Sequence, residues 1–247
     1  MKLGMPSLVE FNSIEENVLF AKKNNLNFIE LNMDLPYCQK KLNLCKYNFD
    51  FTMHLSEKLN IAELNNYLRK AYLKESIRQI RQGIKNGIKR YTIHIDSGVY
   101  FTLPDRKLFL NEKYIDIYQK NLEDSCKILN DLAKDNNIMI NFENTKIHDF
   151  TNLAIETIMK YDYLGFTLDI GHNEKNDNKA YQLFKKSNKI HHVHMHDYDG
   201  KSDHLAIGTG TIDFTKYKNE IKNNYIVIEV KAKEQLISSI EKIRSLF

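Results

Sequence analysis

The segment IMINFEN (residues 138–144) is rich in the branched and aromatic side chains that β-strands prefer, and it ends in a glutamate and an asparagine. Seven more short runs share this character, and segments of helical period separate most of them. These predicted strands are KLGMPS (2–7), FIELNM (28–33), DFTMHLS (50–56), YTIHID (91–96), GFTLDI (165–170), IHHVHMHD (190–197) and YIVIEV (225–230). Because helices that alternate with strands connect parallel strands, the chain is predicted to be an α/β protein.

Eight strand–helix units could form either an open, doubly wound sheet or a closed barrel. The number of units favours the barrel, and the length of 247 residues is close to the roughly 250 that such a barrel needs. The chain contains only three prolines and nine glycines, so no flexible linker divides it. We therefore predict one (β/α)₈ TIM-barrel domain over residues 1–247.

The predicted helices have recognisable ends. Ser13 and Glu16 form a capping box before VLFAKK, and Gly87 is a natural helix terminator after the apolar pattern of residues 61–86. Residues 34–49 are predicted to be a short or irregular crossover. Further helices are predicted at 111–134, 152–161, 178–187, 214–222 and 233–245.

Composition limits the possible classes of protein. No run approaches the ~20 apolar residues of a membrane helix, and the first residues do not resemble a signal peptide, so we expect a cytoplasmic protein with no membrane partner. The net charge of +4 permits contact with phosphates but does not require nucleic acid. Three cysteines, none in a CxxC pair, predict reduced structural thiols and no disulfide framework.

Acidic and imidazole side chains recur where the predicted strands end. Because the carboxyl ends of parallel barrel strands meet at one face, these side chains should converge there. Several carboxylates could not share a partly dry barrel mouth without a cation, and imidazole co-ligands suit Zn²⁺, Mn²⁺, Fe²⁺ or Co²⁺ better than Ca²⁺ or Mg²⁺. The residues at or just after the strand ends are His54, His94, Glu143, Asp169, His172, His194, His204 and Glu229.

Seven motifs around these residues resemble the signatures of the xylose isomerase-like TIM barrels. That superfamily contains endonuclease IV and sugar isomerases and epimerases, and the resemblance spans about residues 28–230. It is specific for the superfamily and says less about the individual activity. The motifs are FTMHLS, YTIHIDSG, INFENT, FTLDIGH, HVHMHD, DHLAIGTGTIDF and YIVIEV.

The resemblance implies a set of ligands for a divalent metal ion, which we expect to be Zn²⁺ or Mn²⁺. The four positions that the superfamily shares are matched by Glu143, Asp169, His194 and Glu229. In endonuclease IV-like members a second metal uses two histidines, which match His54 and His94, and a third uses histidines that match His172 and His204. The third site also needs an aspartate where this chain has Ser202, with Asp203 beside it, so that site is in doubt.

Two functions follow from the resemblance. The first is a sugar or sugar phosphate isomerase or epimerase, in which Glu143 and Glu229 transfer protons next to a metal-bound carbonyl. Its substrate would be a small carbohydrate. The expected substrate-binding residues are His54, His94, His172, His196 and Lys201.

The alternative is an endonuclease IV-like phosphodiesterase that acts on abasic-site DNA, with several metal ions activating water. It would use His54 and His94 directly as ligands. The short loops after the second and third strands and the modest basic excess argue against it, since DNA affinity depends on many contacts to phosphates. By analogy with related barrels, a homodimer is possible.

Other polar residues of the strands have less specific interpretations. Glu30 and Asn32 share an inward face and are predicted to form a structural polar layer, and His192 is predicted to be a core histidine rather than a ligand. Tyr100 and Phe101 lie in SGVYFTLP, where they could form a lid or a pocket wall or simply pack within the loop.

Overall fold

Eight parallel strands form a closed barrel in the computed structural model, which describes residues 1–247. The strands are β1 (Lys2–Pro6), β2 (Phe28–Asn32), β3 (Asp50–His54), β4 (Arg90–His94), β7 (Met139–Glu143), β8 (Leu164–Asp169), β9 (Ile190–Met195) and β10 (Tyr225–Ile228). Neighbours in sequence are neighbours in the barrel, and β10 pairs with β1 to close it. All eight predicted strands are present, and the predicted barrel is confirmed.

A short antiparallel hairpin, which the sequence did not predict, follows β4. It consists of β5 (Tyr100–Thr102) and β6 (Lys107–Phe109). Tyr100 and Phe101 are about half exposed, and the Tyr100 ring packs on Phe109 of the neighbouring strand with centroids 5.4 Å apart. Their side chains therefore line the hairpin and not a buried pocket.

Helices surround the barrel in the expected order. They are α1 (Ile14–Lys23), α2 (Pro36–Gln39), α3 (Asn66–Ile84), α4 (Leu110–Lys113), α5 (Ile115–Asn136), α6 (Asn152–Met159), α7 (Ile170–Lys175), α8 (Lys179–Ser187), α9 (Lys218–Asn223) and α10 (Lys233–Leu246), with 3₁₀ turns at Cys45–Tyr47, Asp149–Thr151 and Phe214–Tyr217. Ser13 caps α1 as predicted. The third helix starts at residue 66 and not 61, because the Asn65 side chain accepts the first free N–H groups. None of the helices has the length and apolar character needed to cross a membrane.

Alternation along the strands divides the barrel into two environments. Along β7, β8 and β9 every second side chain is apolar and packs toward the helices, as Phe142, Leu168 and Val193 do. The intervening side chains, such as Asn141 and Thr167, are polar although they have no solvent exposure. The barrel interior is therefore polar, and the same face of each strand continues upward into the mouth where the charged residues lie.

Candidate metal centre

Four adjacent strands bring four ligands together at the carboxyl end of the barrel. Glu143 ends β7, Asp169 ends β8, His194 lies near the end of β9, and Glu229 directly follows β10. One ligand atom from each lies within 4.8 Å of those of the others. Glu143, Asp169 and His194 have no solvent exposure, whereas 26% of the Glu229 side chain is exposed. The site is thus buried on three sides and open on the side of Glu229.

The imidazole of His194 is the meeting point of the two glutamates. Its Nδ1 lies 3.2 Å from Glu143 Oε2 and 3.1 Å from Glu229 Oε2. Each of the four residues also keeps a buried polar atom without a hydrogen bond, namely Glu143 Oε1, Asp169 Oδ2, His194 Nδ1 and Glu229 Oε2. Buried polar atoms normally have partners, so unpartnered ones converging from four residues fit a bound cation. Three carboxylates and one imidazole are a donor set for Zn²⁺, Mn²⁺ or a similar ion.

The charges of the cluster hold its members in their ionised states. Burial alone would raise the pKa of Glu143 and of Glu229, but the positive charge of His194 lowers both well below their usual value. Burial would lower the pKa of His194, yet the surrounding carboxylates raise it well above its usual value. Without a metal, a protonated imidazole therefore supplies the positive charge that these carboxylates need.

Asn144 holds Asp169 in place by hydrogen bonds in both directions. Its amide nitrogen donates to the Asp169 carbonyl oxygen at 2.9 Å, and its amide oxygen accepts from the Asp169 N–H at 2.8 Å. The Asp169 carboxylate in turn accepts the backbone N–H of His172 at 2.7 Å and so caps α7. The asparagine that follows Glu143 therefore has a role in the site that sequence reasoning missed.

His54 and His94 face Glu143 from the opposite side of the mouth. Their Nε2 atoms lie 3.2 Å and 3.6 Å from Glu143 Oε2. Because His54 Nδ1 is 2.7 Å from the carbonyl oxygen of Leu55, it carries a proton, and Nε2 faces the carboxylate. Burial lowers the pKa of His54, but Glu143 raises it to about 9. The three residues form a second group that could hold a metal ion.

His172 and His204 lie beside the ligands, as the sequence predicted, and both are partly exposed. His172 Nδ1 is 3.3 Å from Asp169 Oδ2, and His204 Nε2 is 3.7 Å from Glu229 Oε1. The side chains of His172 and His204 are 19% and 16% exposed, so both can face a molecule in the mouth.

His196 is completely buried, its Nε2 lies 3.1 Å from Asp169 Oδ1, and its Nδ1 accepts the backbone N–H of His204 at 2.8 Å. No part of its ring is exposed, and its contact with substrate hydroxyls stays a prediction. Gly171 packs against this ring so closely that a Cβ atom would collide with it.

The segment that carries Lys201 is an exposed turn. The backbone N–H groups of Lys201 and Ser202 donate to Asp199 Oδ1, at 2.8 Å and 2.7 Å, and the Lys201 ammonium makes no ion pair. Asp203 lies 3.2 Å from His204 Nδ1 and forms a 2.7 Å ion pair with Lys175. His172, His196 and His204 each offer a nitrogen within 4.8 Å of the others and so form a third group that could hold a metal ion.

Asp197 is a second buried residue that sequence reasoning missed. Its carboxylate accepts the backbone N–H groups of Tyr198, Gly208 and Ile212 at 2.9, 2.8 and 3.2 Å, which holds residues 205–212 against the barrel. Gly210 lies against this carboxylate, where a Cβ atom would collide with it. The glycines of IGTG were the signal, because glycine is required where a backbone approaches another group this closely.

Residues 12–246 match the model of the xylose isomerase-like TIM barrel family. The chain belongs to this family. It is 28% identical to the protein MJ1614 of Methanocaldococcus jannaschii over 260 residues, which cover 98% of this chain and 96% of that protein. These comparisons confirm the resemblance seen in the sequence.

Solved structures of the family have the same fold. The chain superimposes on a D-tagatose 3-epimerase-like protein with a TM-score of 0.81 at 23% identity, covering 99% of this chain and 96% of that one. The IOLI protein, solved with a bound zinc atom, gives a TM-score of 0.78 at 16% identity, covering 100% and 98%. At these identities the similarity establishes the barrel architecture, and the chemistry depends on the residues described above.

Proposed function

We propose that the chain is a divalent-metal-dependent isomerase or epimerase of a sugar or sugar phosphate. The observation that carries the proposal is the placement of two glutamates, Glu143 and Glu229, on either side of one imidazole nitrogen. Glu143 ends β7 and Glu229 follows β10, which are the first and the last of four adjacent strands. The two carboxylates therefore approach a molecule in the mouth from two directions. Proton removal on one face of a carbon and return on another needs two such carboxylates.

Zn²⁺ or Mn²⁺ would be held by Glu143, Asp169, His194 and Glu229, and would act as a Lewis acid on the substrate carbonyl. The protein's own groups hold and move the proton. Glu143 and Glu229 are kept ionised, as a general base must be. Their environments differ: Glu143 is buried beneath His54 and His94, whereas Glu229 is partly exposed beside His204.

Partly exposed histidines around the two glutamates suit a polyhydroxylated substrate. His94 and His172 are each about one-fifth exposed, and their nitrogens can donate to or accept from hydroxyl groups. The similarity of the fold to a D-tagatose 3-epimerase-like protein supports a carbohydrate substrate. The similarity to the zinc-containing IOLI structure supports a metal-dependent site.

The test is hydrogen exchange at the carbon next to the carbonyl. Metal-loaded protein would be incubated in D₂O with a panel of ketoses, aldoses and their phosphates, and deuterium incorporation and new isomers followed by NMR. We expect turnover that stops on chelation and returns with Zn²⁺ or Mn²⁺. Glu143→Gln and Glu229→Gln should each lower kcat by about 10²–10⁴-fold. The exposed Glu241→Gln is the matched control and should be unaffected. Failure of the loaded protein to exchange hydrogen in any sugar would contradict the proposal.

One observation favours the phosphodiesterase as a second candidate. His54, His94 and Glu143 could hold a second metal ion that shares Glu143 with the first. Two-metal sites with ions about 3.5–4 Å apart are typical of phosphodiester hydrolysis. Metal counting on the purified protein, together with nicking of an abasic-site duplex at low salt, decides between the candidates. One metal ion and no nicking would eliminate this second candidate.

A further inference from the structure

A buried carboxylate lies directly beneath the ligand imidazole. Glu30, on β2, is only 2% exposed, and its Oε1 lies 2.8 Å from His194 Nε2. Its Oε2 lies 3.1 Å from His192 Nε2 and accepts from the hydroxyls of Thr52 and Thr92, at 3.2 Å and 3.4 Å. Every oxygen of this carboxylate thus has a defined partner across the barrel interior.

We propose that Glu30 is a positioning residue that keeps the proton of His194 on Nε2 and thereby leaves Nδ1 for the metal ion. His192 assists by holding the other oxygen of Glu30. The inference rests on the metal site of the proposed function and does not depend on which substrate is turned over.

Both ring nitrogens of His194 face carboxylates, but only Nε2 faces Glu30, whose oxygen lies 2.8 Å away. Because an imidazole nitrogen without a proton would repel a carboxylate oxygen at that distance, a metal ion that replaces the proton on Nδ1 leaves the remaining proton on Nε2. The other nitrogen, Nδ1, then points between Glu143 and Glu229. A ligand histidine whose second nitrogen donates to a carboxylate is held in one orientation and is a more basic ligand.

A purely structural bridge between β2 and β9 is the competing explanation. It predicts lower stability for any change at Glu30, with no selective effect on metal binding. The two explanations therefore differ in metal affinity and in the state of the His194 nitrogens, and these are the quantities to measure.

The experiment compares Glu30→Gln and Glu30→Asp with the wild-type chain. Protein stripped of metal would be titrated with Zn²⁺ against a chromogenic chelator, and circular dichroism would confirm folding. Glu30→Gln should weaken Zn²⁺ binding by about 10–100-fold. Glu30→Asp keeps the negative charge on a side chain that is too short for the 2.8 Å contact with His194. This variant should fold readily and show an intermediate loss of Zn²⁺ affinity. Glu241→Gln is the control, since it neutralises an exposed carboxylate of α10, and its affinity should equal the wild type's.

Histidine nitrogen NMR of the cadmium-loaded protein supplies the second measurement. The wild type should show cadmium coupling to His194 Nδ1 and a proton on Nε2. In Glu30→Gln the proton should no longer be confined to Nε2. Three results would overturn the inference. They are a Zn²⁺ affinity equal to the wild type's in both Glu30 variants, cadmium coupling to His194 Nε2 in place of Nδ1, and a wild-type chain that binds no metal. If the variants lose affinity but no sugar is turned over, the inference stands and the proposed function fails.

Discussion

Replacing the completely buried Asn144 with alanine should destabilise the protein strongly. The change removes two hydrogen bonds to the backbone of Asp169, of 2.9 Å and 2.8 Å, in a place with no solvent exposure. Each such bond contributes about 1 kcal/mol, and each backbone group left without a partner adds a desolvation cost of about 1–3 kcal/mol. Because a neighbouring group can satisfy part of that loss, we expect the free energy of unfolding to fall by about 2–4 kcal/mol.

Urea unfolding of the metal-free protein measures this difference. Asn27→Ala is the control, because the Asn27 side chain also accepts a backbone N–H, that of Leu3 at 2.8 Å, but lies at the surface. Water can replace that bond, so the control should lose less than about 1 kcal/mol. In the metal-loaded protein, Asn144→Ala should also weaken metal binding, since Asp169 loses its fixed position. Equal losses of stability for the two alanine variants would refute the reasoning.

Two further predictions concern the histidines behind the ligands. Gly171→Ala should cost about 1–3 kcal/mol of stability in thermal melts, because the new methyl group collides with the His196 ring; in a His196→Ala background the loss should disappear, and an equal loss there would contradict the explanation. The metal-free protein should lose stability as the pH rises from about 6.5 to about 9. Burial opposes the positive charge of His54, but Glu143 raises its pKa from 6.5 to about 9, so the folded state holds this proton more tightly than the unfolded chain. Unfolding curves over this range that do not change with pH would contradict the assignment.

The eight strands were accessible to sequence reasoning because strand pattern is local, whereas the four shared candidate ligands were singled out by the resemblance to the family. Strand periodicity placed Glu143, Asp169 and His194 at strand ends, and the parallel barrel brought those ends together. The hairpin of β5 and β6 escaped prediction because three-residue strands are too short to show alternation. The start of α3 was misplaced because apolar side chains at helical spacing, Ile61 and Leu64, precede the cap at Asn65. These two side chains pack against the core from the loop and not from the helix.

The partners of the polar residues could not be predicted in the same way. Alternation correctly placed Glu30 and His192 inside the barrel, but nothing local shows that residues 30 and 194 are in contact across it. His196 shares the polar face of His194, and its burial results from the 203–205 segment folding back over it, with His204 in a left-handed conformation at φ 55°. Such contacts depend on loop conformation, which single-residue patterns do not encode.

The arrangement of ligands on β7, β8, β9 and β10 has a consequence for how the protein is assembled. All four candidate ligands belong to the second half of the barrel, and the last of them follows the strand that closes the barrel against β1. A growing chain can therefore form three of its eight strand pairs before it has any of these residues, and the full set exists only after β10 emerges. Under the proposed function, a metal ion therefore finds its complete set of ligands only once the last strand is in place, so it would bind late in the assembly of the barrel.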